Sequence, residues 1–105
     1  MNDPIAESRF VLRWPDGTEL STAAQVALPV RIGEYEWTCQ VEIPGADGPR
    51  TIYGVDSFQA LLLATDFLAA RLADLGDKGA AFLSSDRREP IAIADIVHRR
   101  PPHFT

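Results

Sequence analysis

Cys39 is the side chain in this sequence with the most intrinsic reactivity, since a thiolate is a strong nucleophile when it is exposed and its pKa is lowered. It sits in the alternating run Trp37-Thr38-Cys39-Gln40-Val41-Glu42-Ile43, on the same side as Trp37, Val41 and Ile43. That side faces a core, so the thiol is expected to be buried and inert. Ser57, Asp66 and His98 are the residue types of a hydrolytic triad, but no G-x-S-x-G elbow accompanies the serine. His98 and His103 straddle Pro101 and Pro102 and have no cysteine nearby, which is a poor metal-ligand spacing. Gly45 and Gly48 lie in a run of turn formers with no lysine and no helix start after them, unlike a phosphate cradle. These residues assign no catalytic, cofactor-binding or metal role.

Asp56 and Gln59 have a structural explanation. Spaced three apart before an apolar run, they form a capping box at a helix start: the Asp56 carboxylate accepts from the Gln59 N–H, and the Gln59 side chain reaches back. The stretch Tyr53 to Gly76 is the one long helical pattern in the chain, with Gly76 as the expected left-handed stop. Phe58, Leu61, Thr65, Leu68, Leu72 and Leu75 follow a three–four spacing and predict the buried stripe, widened by Leu62 and Ala69. Leu63 and Phe67 fall on the opposite, polar side with Gln59, Asp66, Arg71 and Asp74. Either the C-terminal segment covers that pair, which is the expectation favoured here, or a partner does.

The strands that would meet this helix are read from period-two alternation. Arg9 to Trp14 is a strand, closed by the turn Pro15-Asp16-Gly17-Thr18, while residues 19–24 carry no clear pattern. Gln25 to Ile32 reads as a second strand with Val26, Leu28, Val30 and Ile32 inward; Pro29 makes it an edge or puts a bulge in it. Trp37 to Ile43 is the third and Arg50 to Val55 the fourth, joined by the turn-rich run Pro44 to Pro49. The expected fold is α+β: a two-layer sandwich in which an antiparallel four-stranded meander is covered by the long helix. Ala80 to Leu83 is a candidate short strand and 84–89 a loop. Pro90 to His98 is a short C-terminal helix or a strand, with Pro at a first helical position favouring helix. Residues 1–7 and 99–105 read as loose ends, the latter carrying Arg99 and Arg100.

Trp37, Cys39 and Ile43, followed by Gly54, Asp56, Ser57, Gln59, Ala60 and Leu61, resemble a family of small uncharacterised bacterial proteins. That family shares a W-x-C-x-x-x-I strand and a G-x-D-S-x-Q-A-L helix start, and the likeness spans about residues 25–75. It implies a shared fold and a bacterial origin and carries no activity across. Where the family usually has a proline, Gly33 is followed here by Glu34.

Composition narrows the function classes. The 105 residues suffice for one domain, 1–105, with 46% hydrophobic and 24% charged residues. A net charge of −5 argues against nucleic acid and for a basic partner. One cysteine rules out an internal disulfide, the N-terminal stretch lacks a signal-peptide pattern, and no apolar run is long enough to span a membrane, so the expected place is the cytoplasm. Two readings stay open. One is a protein-binding module, docking a basic partner or a second copy through Leu63, Phe67, Arg99 and Arg100, much as immunity proteins hold toxins. The other is an enzyme or small-ligand binder with a pocket between sheet and helix near Trp37, Cys39 and Tyr53.

Overall fold

A computed structural model describes residues 3–97. The order of elements is β1 (Ala6–Arg13), β2 (Glu19–Val26), β3 (Val30–Gly33), β4 (Glu36–Ile43), β5 (Asp47–Gly54), α1 (Ser57–Asp77), β6 (Ala81–Ser84) and α2 (Ile93–Ile96). All the pairings between strands are antiparallel, and α1 lies across one face of the sheet. The α+β sandwich is therefore as expected, with a wider sheet than the meander of four. β6 adds itself beside β1, and β2 and β3 lie end to end along one edge of β4 while β5 takes its other edge.

The strand boundaries differ from the expectation where side chains are small. β2 fills the stretch left without a pattern, pairing with β1 from Arg13↔Glu19 to Ala6↔Val26. Its inward residues include Thr22 and Ala24, too small to show as a hydrophobic alternation. At the other end Ile5 donates its N–H to the Val26 carbonyl at 2.9 Å, so the sheet already begins within the segment expected to be loose.

The second departure is at Pro29. Val26 pairs with Val41, whereas Val30 pairs with Thr38, so one extra residue enters the chain between them. A slip of one residue turns every later side chain to the other face. Val26 is buried as expected, but Leu28, Val30 and Ile32 are exposed instead of inward.

The helix start is built as the sequence implies. Asp56 Oδ1 accepts from the Gln59 N–H at 2.7 Å, and Gln59 Oε1 accepts from the Val55 N–H at 2.8 Å, one residue before the cap. The stop lies three residues later than expected. Gly79, with φ +97°, takes the left-handed position; its N–H donates to Gly76 and that of Ala80 to Leu75, the pair of bonds of a Schellman motif.

Helix packing also corrects the N-terminal half of the stripe. Ala60, Ala64, Leu68, Leu72 and Leu75 are buried, whereas Phe58 is 71% exposed and Leu62 is also exposed. The cause is a close approach: a Cβ on Gly54 would stand 2.5 Å from the Ala60 nitrogen. Only small side chains fit where the helix first meets the sheet. Farther along, the Asp47 carboxylate holds α1 to β5 by accepting from Arg71 Nε at 3.1 Å, and Arg71 also binds Asp74 at 2.8 Å. Phe10, Leu12, Cys39, Val41 and Ile43 complete the core from the sheet.

This packing has a direct test. Leu72→Ala should cost about 2–5 kcal/mol in urea unfolding, as for a fully buried leucine. Phe58→Ala should stay within about 0.5 kcal/mol, as for a surface change. A large loss for Phe58→Ala would restore the stripe expected from spacing.

Candidate functional site

The residues with chemical potential do not converge. Cys39 is fully buried between sheet and helix, its thiol donating to the Ala27 carbonyl at 3.3 Å, and burial pushes its pKa up. Trp37 faces the helix as well and packs on the core. Tyr53, paired with Thr38, points from the opposite face of the sheet, so these three line no common pocket. Ser57 and Asp66 are both exposed and stand about 13 Å apart along the helix at 1.5 Å per residue, too far for a triad. His98, His103, Arg99 and Arg100 lie outside the described residues. Gly45 and Gly48, with φ of +81° and +100°, shape the β4–β5 turn.

Leu63 and Phe67 occupy the flank of α1 above β5. Phe67 is half-buried against the core, with the Arg50 guanidinium carbon 6.0 Å from its ring centre, and Leu63 is 42% exposed. Among the described residues, the C-terminal segment does not cover them. Residues 90–97 combine both forms expected for them: Pro90 bridges to Leu83, and Ile93–Ile96 is a single helical turn. Ile96 packs on the other flank, where it lines a hollow of about 450 Å³ with Ala24, Val26, Leu62, Thr65 and Leu68.

A different group of apolar side chains gathers on the open face of the sheet. The pairings Val30↔Thr38 and Thr38↔Tyr53 set these three side by side across β3, β4 and β5, facing away from the helix. Leu28 is 65% exposed, Tyr53 57%, Ile32 54% and Val30 53%. Ile5, Ala27, Leu28 and Val30 line a shallow hollow of about 870 Å³ floored by Thr38 and Gln40, with Asp3 at its rim. Glu42 stands two residues beyond Gln40 on the same face, and no ion pair engages it among the described residues. Towards β1, β2 and β6 that face carries the buried Val11, Ala23 and Leu83 together with charged side chains. Gln25 and Arg9 both donate to the Glu7 carboxylate, at 3.0 and 3.2 Å, and hold its pKa below the ordinary value. Arg13 and Arg88 both engage Glu19.

The patch was hidden from sequence reading by the slip at Pro29, which makes outward residues look inward. The proline is the signal: of the edge and the bulge expected there, the bulge is the one that turns Val30 outward.

The closed setting of Cys39 predicts its reactivity. In native protein the thiol should react with a disulfide reagent at mildly alkaline pH far more slowly than a free cysteine, because burial disfavours the thiolate. In denaturant it should react at the free rate. Equal rates in the two conditions would show that the space between sheet and helix is open.

No curated protein and no solved structure matches the chain. Residues 7–90 match a family described as a domain of unknown function, DUF6968, which takes in every strand but the first residue of β1 as well as the long helix. The chain belongs to that family.

Proposed function

We propose that this domain is a protein-binding module that holds a basic partner against the open face of its sheet. One observation carries the reading: the row Val30, Thr38 and Tyr53, with Ile5, Leu28 and Ile32 about it, is an exposed and largely apolar surface on the face of the sheet away from the helix. Apolar side chains of this size left in water forgo roughly 1.5–3 kcal/mol each, which an apolar contact recovers. Asp3 and Glu42 at the rim, and a net charge of −5, favour a partner that brings lysine or arginine around an apolar anchor. An acidic holder of a basic protein, as immunity proteins are for toxins, is the role this fits. The lone reduced thiol of Cys39 accords with a cytoplasmic place of work.

The hollow beside Ile96 supports a second reading, a small apolar ligand held between α1 and β1. Its test is thermal stabilisation by small amphiphiles that is lost in Thr65→Trp, which would fill the space.

The first reading is tested by capture on immobilised wild type, Val30→Glu and Leu63→Glu, followed by purification and titration of the protein retained. A basic protein that binds wild type and Leu63→Glu alike, weakens at least tenfold with Val30→Glu and weakens with added salt would support it. A retained protein indifferent to Val30→Glu, or none retained, would overturn it. Val30→Glu should leave the melting curve in place, since the side chain it replaces is exposed.

A further inference from the structure

The free edge of β5 and the helix flank above it form a second surface, which shares Tyr53 with the open-face patch. The outer edges of the sheet at β6 and β3 are short or guarded. β6 has four residues and is bridged on its outer side by Pro90, with hydrogen bonds from Ile91 to Phe82 and from Ser84 to Glu89. β3 has four residues and a register shift. β5 has eight, pairs only with β4, and after Pro49 runs through Arg50, Thr51, Ile52 and Tyr53 without interruption. Such an edge offers unpaired backbone groups to another strand. Directly above it, Leu63 and Phe67 form the flank of α1 that no other described element covers, whereas Ile96 covers the opposite flank.

We infer that this edge and flank pair with a second copy of the chain, β5 to β5 and antiparallel about a two-fold axis at Ile52. An antiparallel edge strand is its own complement under a two-fold axis, which makes a copy of the chain the fitting occupant. The period-two rule narrows the register. Arg50 and Ile52 face the helix while Thr51 and Tyr53 face away, and residues opposite one another must share a face. With Ile52 opposite itself, Thr51 meets the second copy's Tyr53 and Arg50 meets its Gly54, and both prolines fall outside the five paired residues.

The helix layer fits the same axis. Gly54 lies beneath Ala60 and Arg50 beneath Phe67, so Ile52 lies beneath the turn between them. Leu63 lies nearest that point, so the two-fold sets the Leu63 side chains of the two copies beside each other, with Phe67 flanking them. Each Arg50, which pairs with Asp47 of its own chain at 3.2 Å, comes opposite a residue without a side chain, with the exposed capping carboxylate of the second copy's Asp56 two residues on. The contact is small, at the low end of the roughly 1,200–2,000 Å² that stable complexes bury. Association therefore depends on concentration.

Sedimentation equilibrium of the full chain, from low micromolar to several hundred micromolar, should show the mass rising from 11.5 kDa towards twice that value. Leu63→Glu should remain at the monomer mass while unfolding as cooperatively as wild type, and Val30→Glu should dimerise unchanged. The last result separates this surface from the partner site proposed above. Thr51→Cys with Tyr53→Cys should cross-link two copies on oxidation, since opposed Cα atoms in an antiparallel pair lie about 4.5–5.5 Å apart. Neither single cysteine variant should cross-link as readily. A wild type that stays monomeric throughout, or a double variant that cross-links no better than the single ones, would overturn the inference.

Discussion

The fold depends on how closely α1 descends onto β5. Gly54 leaves no room for a side chain, and the backbone of Ala60 occupies the space where one would stand. This contact joins the end of the sheet to the start of the helix, with only Val55 and the cap Asp56 between them. Everything larger is pushed aside at that end. Ala60 and Ala64 can be buried there, whereas Phe58 and Leu62 must turn to solvent. As the helix proceeds towards Asp47 the inward residues become Leu68, Leu72 and Leu75, and the Asp47–Arg71 pair secures the far end. Small residues at one end and large ones at the other fill the space between the layers.

A helix seated this way commits one face of the sheet to the core and leaves the other to work. β4 sends Cys39, Val41 and Ile43 inward and Thr38, Gln40 and Glu42 outward, and the extra residue before β3 places Val30 in that outward row. The bulge thus converts what would have been core surface into an exposed apolar patch. The same seating sets the tilt of surfaces about the β5 edge, where Leu63 and Phe67 overhang an open strand. The patch faces away from the helix and the β5 edge borders it, with Tyr53 common to both.

Much of this was legible from residue order. The capping box at Asp56 and Gln59, the β4 alternation and the turn at Gly17 reflect local rules that tertiary packing seldom overrides, and each is where the sequence places it. The stripe is legible at Leu61 and from Leu68 onward, and fails at Phe58 and Leu62. Hydrophobic spacing rewards the largest side chains, so it selected Phe58 over Ala60, and the reason for that reversal, Gly54, lies outside the helix. β2 escaped notice because Thr22 and Ala24 bury little apolar surface each. The helix stop was placed at Gly76, which is an interior residue, because two glycines stand three apart and spacing alone does not choose between them. The exposed apolar patch is the least legible part: Pro29 allows a bulge, but the alternation of Val26, Leu28, Val30 and Ile32 hides the change of phase.

Paired glycine substitutions test the central contact most directly. The Gly54 backbone lies outside the left-handed region, so conformation alone would tolerate alanine there, and only the clash with Ala60 should matter. Gly54→Ala should lose about 1–3 kcal/mol in urea unfolding, as overpacked sites do. Gly76, inside the helix, has only an ordinary contact 3.6 Å away at Phe82, so Gly76→Ala should gain about 0.5–1 kcal/mol from helix propensity. Opposite signs at the two glycines are the predicted result. A Gly54→Ala protein as stable as wild type would contradict the account, because the helix could then not be seated on the strand as closely as described.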